Sequence, residues 1–199
     1  IADNILDGTQ EVRISANASG HSPATETLRV VDRNVSFTAI IDNGESGFSH
    51  DGFTPQSNNQ VAAAFNGNNH HIRGGEGTAS WTFNDLADGT YQVAATWANR
   101  YENAYNVKDA PYTVRNASGD QLAQAEIDQS IAPNDFTADG FAWNTIATVE
   151  VTGGTLTVQL DPGSNSNRYT VADAIRIDLI ETANSEANLV DAAFAQLVD

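Results

Sequence analysis

The chain has 199 residues, with 9 basic side chains against 26 acidic ones, a formal net charge of −17, and neither cysteine nor methionine. That balance repels phosphate backbones and anionic lipid headgroups, and the lack of cysteine rules out a disulfide framework and thiolate metal sites. No run reaches the ~20 apolar residues of a membrane span, so nucleic acid and membrane insertion are set aside; cations and neutral ligands suit the charge better. With no methionine at position 1 and no export signal in view, the sequence is expected to be part of a longer, processed chain.

In chain order, residues 11–16 alternate Val12, Ile14 and Ala16 against Glu11, Arg13 and Ser15, and residues 25–31 repeat a β-rich pattern across Asn17-Ala18-Ser19-Gly20. This N-terminal β-hairpin is marginal alone in water and needs a surface to pack on. From Val35 a longer all-β unit is predicted. Residues 37–41 stop at the Asp42-Asn43-Gly44 turn, and strands are expected over 61–65, 78–83 and 90–98. Spacing of two places Ala79, Trp81 and Phe83, then Tyr91, Val93, Ala95 and Trp97, on inner faces. Asp88-Gly89 between those strands reads as a hairpin turn.

Strands over 112–115, 122–128, 142–151 and 156–160 follow, with Gly153-Gly154 as a tight connection. Residues 171–180 close the series as one strand, with Val171, Asp173, Ile175, Ile177 and Leu179 on one face. Asp173 is therefore a carboxylate on an apolar face, and it must be neutralised, paired, or given backbone N–H donors. Arg168 or a backbone turn is its expected partner, since Arg176 points to the other face. Many short strands without helical patterning predict an all-β, jelly-roll-like two-sheet β-sandwich. After Asn184-Ser185, the recurrence of Val190, Ala193, Phe194, Leu197 and Val198 predicts a short amphipathic C-terminal helix over 184–199 that needs a surface to lie on.

Two resemblances divide the chain. Residues 3–10, Val12-Arg13-Ile14-Ser15-Ala16 and Leu28-Arg29-Val30-Val31-Asp32 resemble the last strands of a Calx-beta-like sandwich, which gives residues 1–33 as the end of an incomplete domain. That resemblance implies calcium at acidic loop ends, here Asp3, Asp7 and Asp32. A second set follows in order: residues 40–49, Gly77-Thr78-Ala79-Ser80-Trp81-Thr82-Phe83, Asp88-Gly89-Thr90-Tyr91, Ala110-Pro111-Tyr112, Ala132-Pro133-Asn134-Asp135-Phe136 with Gly140 and Trp143, and Val171-Ala172-Asp173-Ala174-Ile175-Arg176-Ile177. It is similar to the golvesin C-terminal-like domain, also described as xanthan-lyase carbohydrate-binding-like, over 35–180. The resemblance implies a non-catalytic accessory module of a large secreted or cell-surface bacterial protein. Its expected partner is polysaccharide or, alternatively, a cell-surface protein in structural or adhesive assembly, alongside upstream domains of the same chain.

No nucleophile elbow, P-loop, HExxH or dinucleotide fingerprint is present, so no catalytic residue is nominated and no cofactor is required. His70 and His71, as strand neighbours, would face opposite ways and chelate one metal poorly. Asp42, Glu45, Asp135, Asp139 and Asp173 suit either turn capping or the oxygen shell of a structural calcium. Trp81, Trp97 and Trp143 are assigned structural roles. Tyr101 and Tyr105, with Arg100 and Asn103, form a polar loop that pairs ring faces with hydrogen-bonding groups, as a sugar site requires.

Overall fold

The computed structural model describes residues 10–16, 19–20, 23–30, 37–57, 61–98 and 105–182. The predicted C-terminal helix and Asp3, Asp7 and Asp32 lie outside these residues. The starting hairpin is present: β1 (Gln10–Ala16) and β2 (Ala24–Val30) pair antiparallel from Gln10↔Val30 to Ala16↔Ala24 and form a sheet of their own.

Thirteen further strands follow: β3 (Phe37–Ile41), β4 (Phe48–Asp51), β5 (Thr54–Gln56), β6 (Asn69–Arg73), β7 (Thr78–Phe83), β8 (Gly89–Ala95), β9 (Ala110–Asn116), β10 (Gln121–Ile127), β11 (Phe136–Ala138), β12 (Phe141–Val151), β13 (Leu156–Leu160), β14 (Tyr169–Ala172) and β15 (Ile175–Thr182). They build two five-stranded antiparallel sheets, ordered β10-β9-β13-β7-β4 and β11-β12-β8-β15-β3, and a small flanking sheet, β14-β6-β5. The described residues are all-β, as the sequence pattern requires. The inner faces meet in one core: Ala79, Trp81, Phe83, Tyr112, Val114, Leu156, Val158 and Leu160 from the first sheet, and Tyr91, Val93, Val149, Val151, Ile175, Ile177 and Leu179 from the second. Each large side chain removed from water here contributes about 1.5–3 kcal/mol.

Three sequence expectations change. Asp88-Gly89 does not close a hairpin, because β7 and β8 belong to different sheets. Leu86, 7% exposed, plugs the connection into the core, so the chain arches across the sandwich instead of turning back. The Gly153-Gly154 connection is the matching arch from β12 to β13, and the two are tied together by Leu86 N–H to the Gly154 carbonyl at 3.0 Å and Gly153 N–H to Asp88 Oδ1 at 3.1 Å. Residues 61–65 are not a strand: Val61 and Ala64 are buried with Ala98 in a satellite cluster, and Phe65–Gly67 is a single 3-10 turn. The segment turns on itself, with Ala64 N–H donating to the Val61 carbonyl at 2.9 Å and Gly67 N–H to the Ala64 carbonyl at 3.0 Å, so these groups are spent locally rather than on a neighbouring strand.

The third change concerns residues 171–180, which are two strands. β14 pairs with β6, then the chain changes sheet at Asp173-Ala174 and continues as β15 between β8 and β3. Asp173 therefore sits at a corner rather than within a ladder.

Candidate functional site

At the corner, Asp173 is 1% exposed, its Oδ2 accepts the Phe65 N–H at 3.2 Å, and its Oδ1 has no hydrogen-bond partner among the described residues. Its carbonyl accepts Trp81 Nε1–H at 3.2 Å. The partner is thus a backbone N–H, while the Arg168 guanidinium donates to the Asn106 carbonyl at 3.0 Å. Burial pushes the Asp173 carboxyl well above the usual carboxylate range, and the nearby Asp42 charge adds to the rise. Asp42, 3% exposed, is raised mainly by burial; its Oδ2 accepts Asn66 Nδ2–H at 2.9 Å and its Oδ1 the Asn43 N–H at 2.8 Å. Adjacent residues of the 3-10 turn, Phe65 and Asn66, thus hold one carboxyl each.

The other nominated carboxylates are placed differently. Glu45 accepts the Asp42 N–H at 3.2 Å within their shared turn, and Asp135 accepts the Thr145 N–H at 2.8 Å. Asp139 (φ 52°) and Gly140 (φ 81°) form the two-residue turn between β11 and β12, and the Asp139 carboxylate pairs with Arg176. Arg176 also grips Asp178, through Nε at 2.6 Å and Nη2 at 2.7 Å. Among the described residues, no group of three or more His, Asp or Glu is spaced to hold a metal ion.

The two histidines sit on β6. The His70 ring lies tilted against that of His50, 4.4 Å between centroids, with Asn43 Nδ2 3.2 Å from its Nδ1, while the His71 ring meets Tyr169 edge-on at 5.2 Å. Burial, then the neighbouring His50 and His71, pushes His70 down to about 4. The tryptophans are all buried. Trp97 Nε1–H is shared between the Gln129 and Ile131 carbonyls, both at 3.1 Å. Trp143 lies on the outer face of the second sheet against Ala94 and Ala174, with Phe65, Phe136 and Phe141 packed around it and the Arg176 guanidinium 5.9 Å from its ring.

Of the nominated ligand loop, Arg100, Tyr101 and Asn103 lie outside the described residues, and Tyr105 is 47% exposed. What holds Tyr105 was not visible in its own segment. Its carbonyl accepts the Tyr169 N–H at 2.8 Å, and two residues on Val107 N–H donates to the Tyr169 carbonyl at 2.9 Å, a parallel bridge between segments over 60 residues apart. Below it, the wholly buried Asn106 donates Nδ2–H to the carbonyls of Ala98 (3.2 Å) and Gln129 (3.1 Å). Gln129, also 0% exposed, imitates a strand partner: Oε1 accepts the Val171 N–H at 2.9 Å and Nε2–H donates to the Val171 carbonyl at 2.8 Å.

On this base lies an open pocket lined by Lys108, Asp109, Ser164, Asn165 and Arg168. Asp109 Oδ2 accepts both the N–H (3.1 Å) and the hydroxyl of Ser164, which fixes the 161–168 loop to the start of β9. Two glycines let that loop lie close: a Cβ on Gly163 would be 2.7 Å from Asp109 Oδ1, and one on Gly74 (φ 62°) would be 2.8 Å from the Ser166 carbonyl. Of these groups, Lys108 stood out in the sequence only as the sole lysine. The assembly of Lys108 with Ser164 and Arg168 depends on pairings that local spacing does not reveal.

The fold has relatives among solved structures. It is similar to Paenibacillus xanthan lyase, with TM-score 0.59 and 23% identity, covering 77% of this chain and 14% of that one. Looser likenesses are to the Podospora anserina GH26-CBM35 β-(1,4)-mannanase (0.49, 13%, covering 74% of this chain and 29% of that) and to a CBM35 from Cellvibrio japonicus (0.46, 12%, covering 71% and 92%). The chain thus spans only a small part of the first two proteins. A search of curated proteins found no match. The golvesin C-terminal domain model matches residues 39–179, which is more than half of the chain. The chain belongs to the golvesin C-terminal domain family.

Proposed function

We propose that this domain is a non-catalytic accessory module that binds carbohydrate, with the binding site at the end of the sandwich that carries Tyr105. The supporting observation is the half-exposed tyrosine set over a buried Asn106 and Gln129 network, beside a pocket of hydrogen-bonding side chains. A pyranose presents C–H groups to a ring face and hydroxyls to polar neighbours, and a rigid base lowers the ordering cost of binding. Family membership and the likeness to a protein named xanthan lyase favour the same reading. It includes Arg100, Tyr101 and Asn103 as further contacts, a host protein outside the bacterial cell, and a β1–β2 hairpin belonging to an upstream sandwich.

A glycan array run beside sedimentation tests this function. Retention of a glycan by a monomeric protein is the expected result. Concentration-dependent self-association with no glycan retained would replace the reading with a structural or adhesive role.

A further inference from the structure

We infer that the pocket between Lys108 and Arg168 selects saccharides that carry an anionic group, an inference that rests on the carbohydrate-binding reading above. Among the described residues, Arg176 is held by the carboxylates of Asp139 and Asp178, and Arg73 and Arg115 donate to the Asn167 and Gly119 carbonyls. Lys108 differs. It is exposed, lines the pocket, and makes no ion pair or hydrogen bond among the described residues.

Asp109, the next residue in the chain and part of the same pocket, has its Oδ2 occupied by the Ser164 N–H and hydroxyl. Its Oδ1 is tucked toward Gly163, where a Cβ would lie only 2.7 Å away. Two more cations reach the same loop. The Arg168 guanidinium is steadied by the Asn106 carbonyl at 3.0 Å, and Arg73 Nε donates to the Asn167 carbonyl at 3.2 Å while its guanidinium lies 5.5 Å from the Tyr169 ring centre. Asn165 also lines the pocket, with its Oδ1 committed to the Asn167 N–H at 3.0 Å and its Nδ2 directed at no described partner.

Lys108 and Arg168 can therefore supply charge-assisted donors to a carboxylate or a sulfate ester, Asn165 Nδ2 can donate to a hydroxyl, and Tyr105 offers a ring nearby. The rest of the molecule repels a polyanion, but at 0.15 M salt the screening length is about 8 Å, so contact pairs persist while the distant acidic surface is largely screened.

The test measures binding at 0.15 M salt to polygalacturonate and alginate (carboxylates), dextran sulfate (sulfate esters) and galactomannan (neutral), for wild type, Lys108→Ala and Lys108→Glu. Lys108 is exposed and has no partner among the described residues, so both variants should keep the wild-type Tm. Affinity for a carboxylated glycan is expected to fall about tenfold in Lys108→Ala and further in Lys108→Glu, while any galactomannan affinity falls by less. Binding to dextran sulfate alone, with the same dependence on Lys108, would support the inference with sulfate as the anion. Equal binding of neutral and acidic glycans, unaffected at Lys108, would overturn the inference and leave the carbohydrate reading standing. Binding to no glycan would overturn both.

Discussion

Asp173 and His70 set opposite pH responses within the same fold. The folded chain keeps a proton on Asp173 that the unfolded chain releases above about pH 4, so this contribution is full below that pH and is lost as pH rises through the raised folded value. His70 is neutral in the fold, with its pKa near 4 against an ordinary 6.5, so its contribution is full above 6.5 and is lost as pH falls toward 4. Thermal melts from pH 4 to 8 should show a stability maximum that moves to higher pH in Asp173→Asn and to lower pH in His70→Gln. An unmoved maximum in both would mean that neither group is buried as described. Asp173→Ala should cost about 2 kcal/mol, because it orphans the Phe65 N–H, and Asp173→Asn should cost less, because an amide oxygen still accepts that bond. Equal losses in the two would argue against the Phe65 contact. Burial of Asp173 could be read from its apolar neighbours at spacing two. Its partner could not, since Phe65 lies over 100 residues away in a turn that the sequence pattern presents as a strand.

At the scale of elements, the 161–168 loop and Gln129 carry the site. Gln129→Ala removes both groups that satisfy Val171 and is expected to cost about 3 kcal/mol, read as a fall in the denaturant midpoint. A wild-type midpoint would show that water replaces the amide without loss. Gly163→Ala forces a Cβ against Asp109, so the Ser164 anchor should shift and glycan affinity should drop more than stability does. The strands themselves were legible. Ala79, Trp81 and Phe83 at spacing two, and β13 at Leu156–Leu160, follow from a period that burial on one face imposes. The arches were not, because Asp88-Gly89 carries the same local preference whether the chain turns back or crosses between sheets. That choice is made by Leu86, whose burial depends on the opposite sheet.

Across the whole molecule, the ordered motifs from Ile40 to Ile177 sufficed for the family, and the core they describe is the one observed. The site was legible only in part. Tyr105 stood out as an aromatic in a polar loop, while Lys108, Ser164 and Arg168 are gathered by the Tyr105–Tyr169 contact, which no periodicity encodes. The acidic surface and the small cationic pocket are likewise separable only once the fold places them. The central claim is that this end of the sandwich binds sugar. Affinity electrophoresis through gels containing polysaccharide, comparing wild type with a Tyr101→Ala, Tyr105→Ala double variant of unchanged Tm, tests it most directly. The account predicts that wild type is retarded and the double variant migrates freely; equal migration of the two in every gel would contradict it.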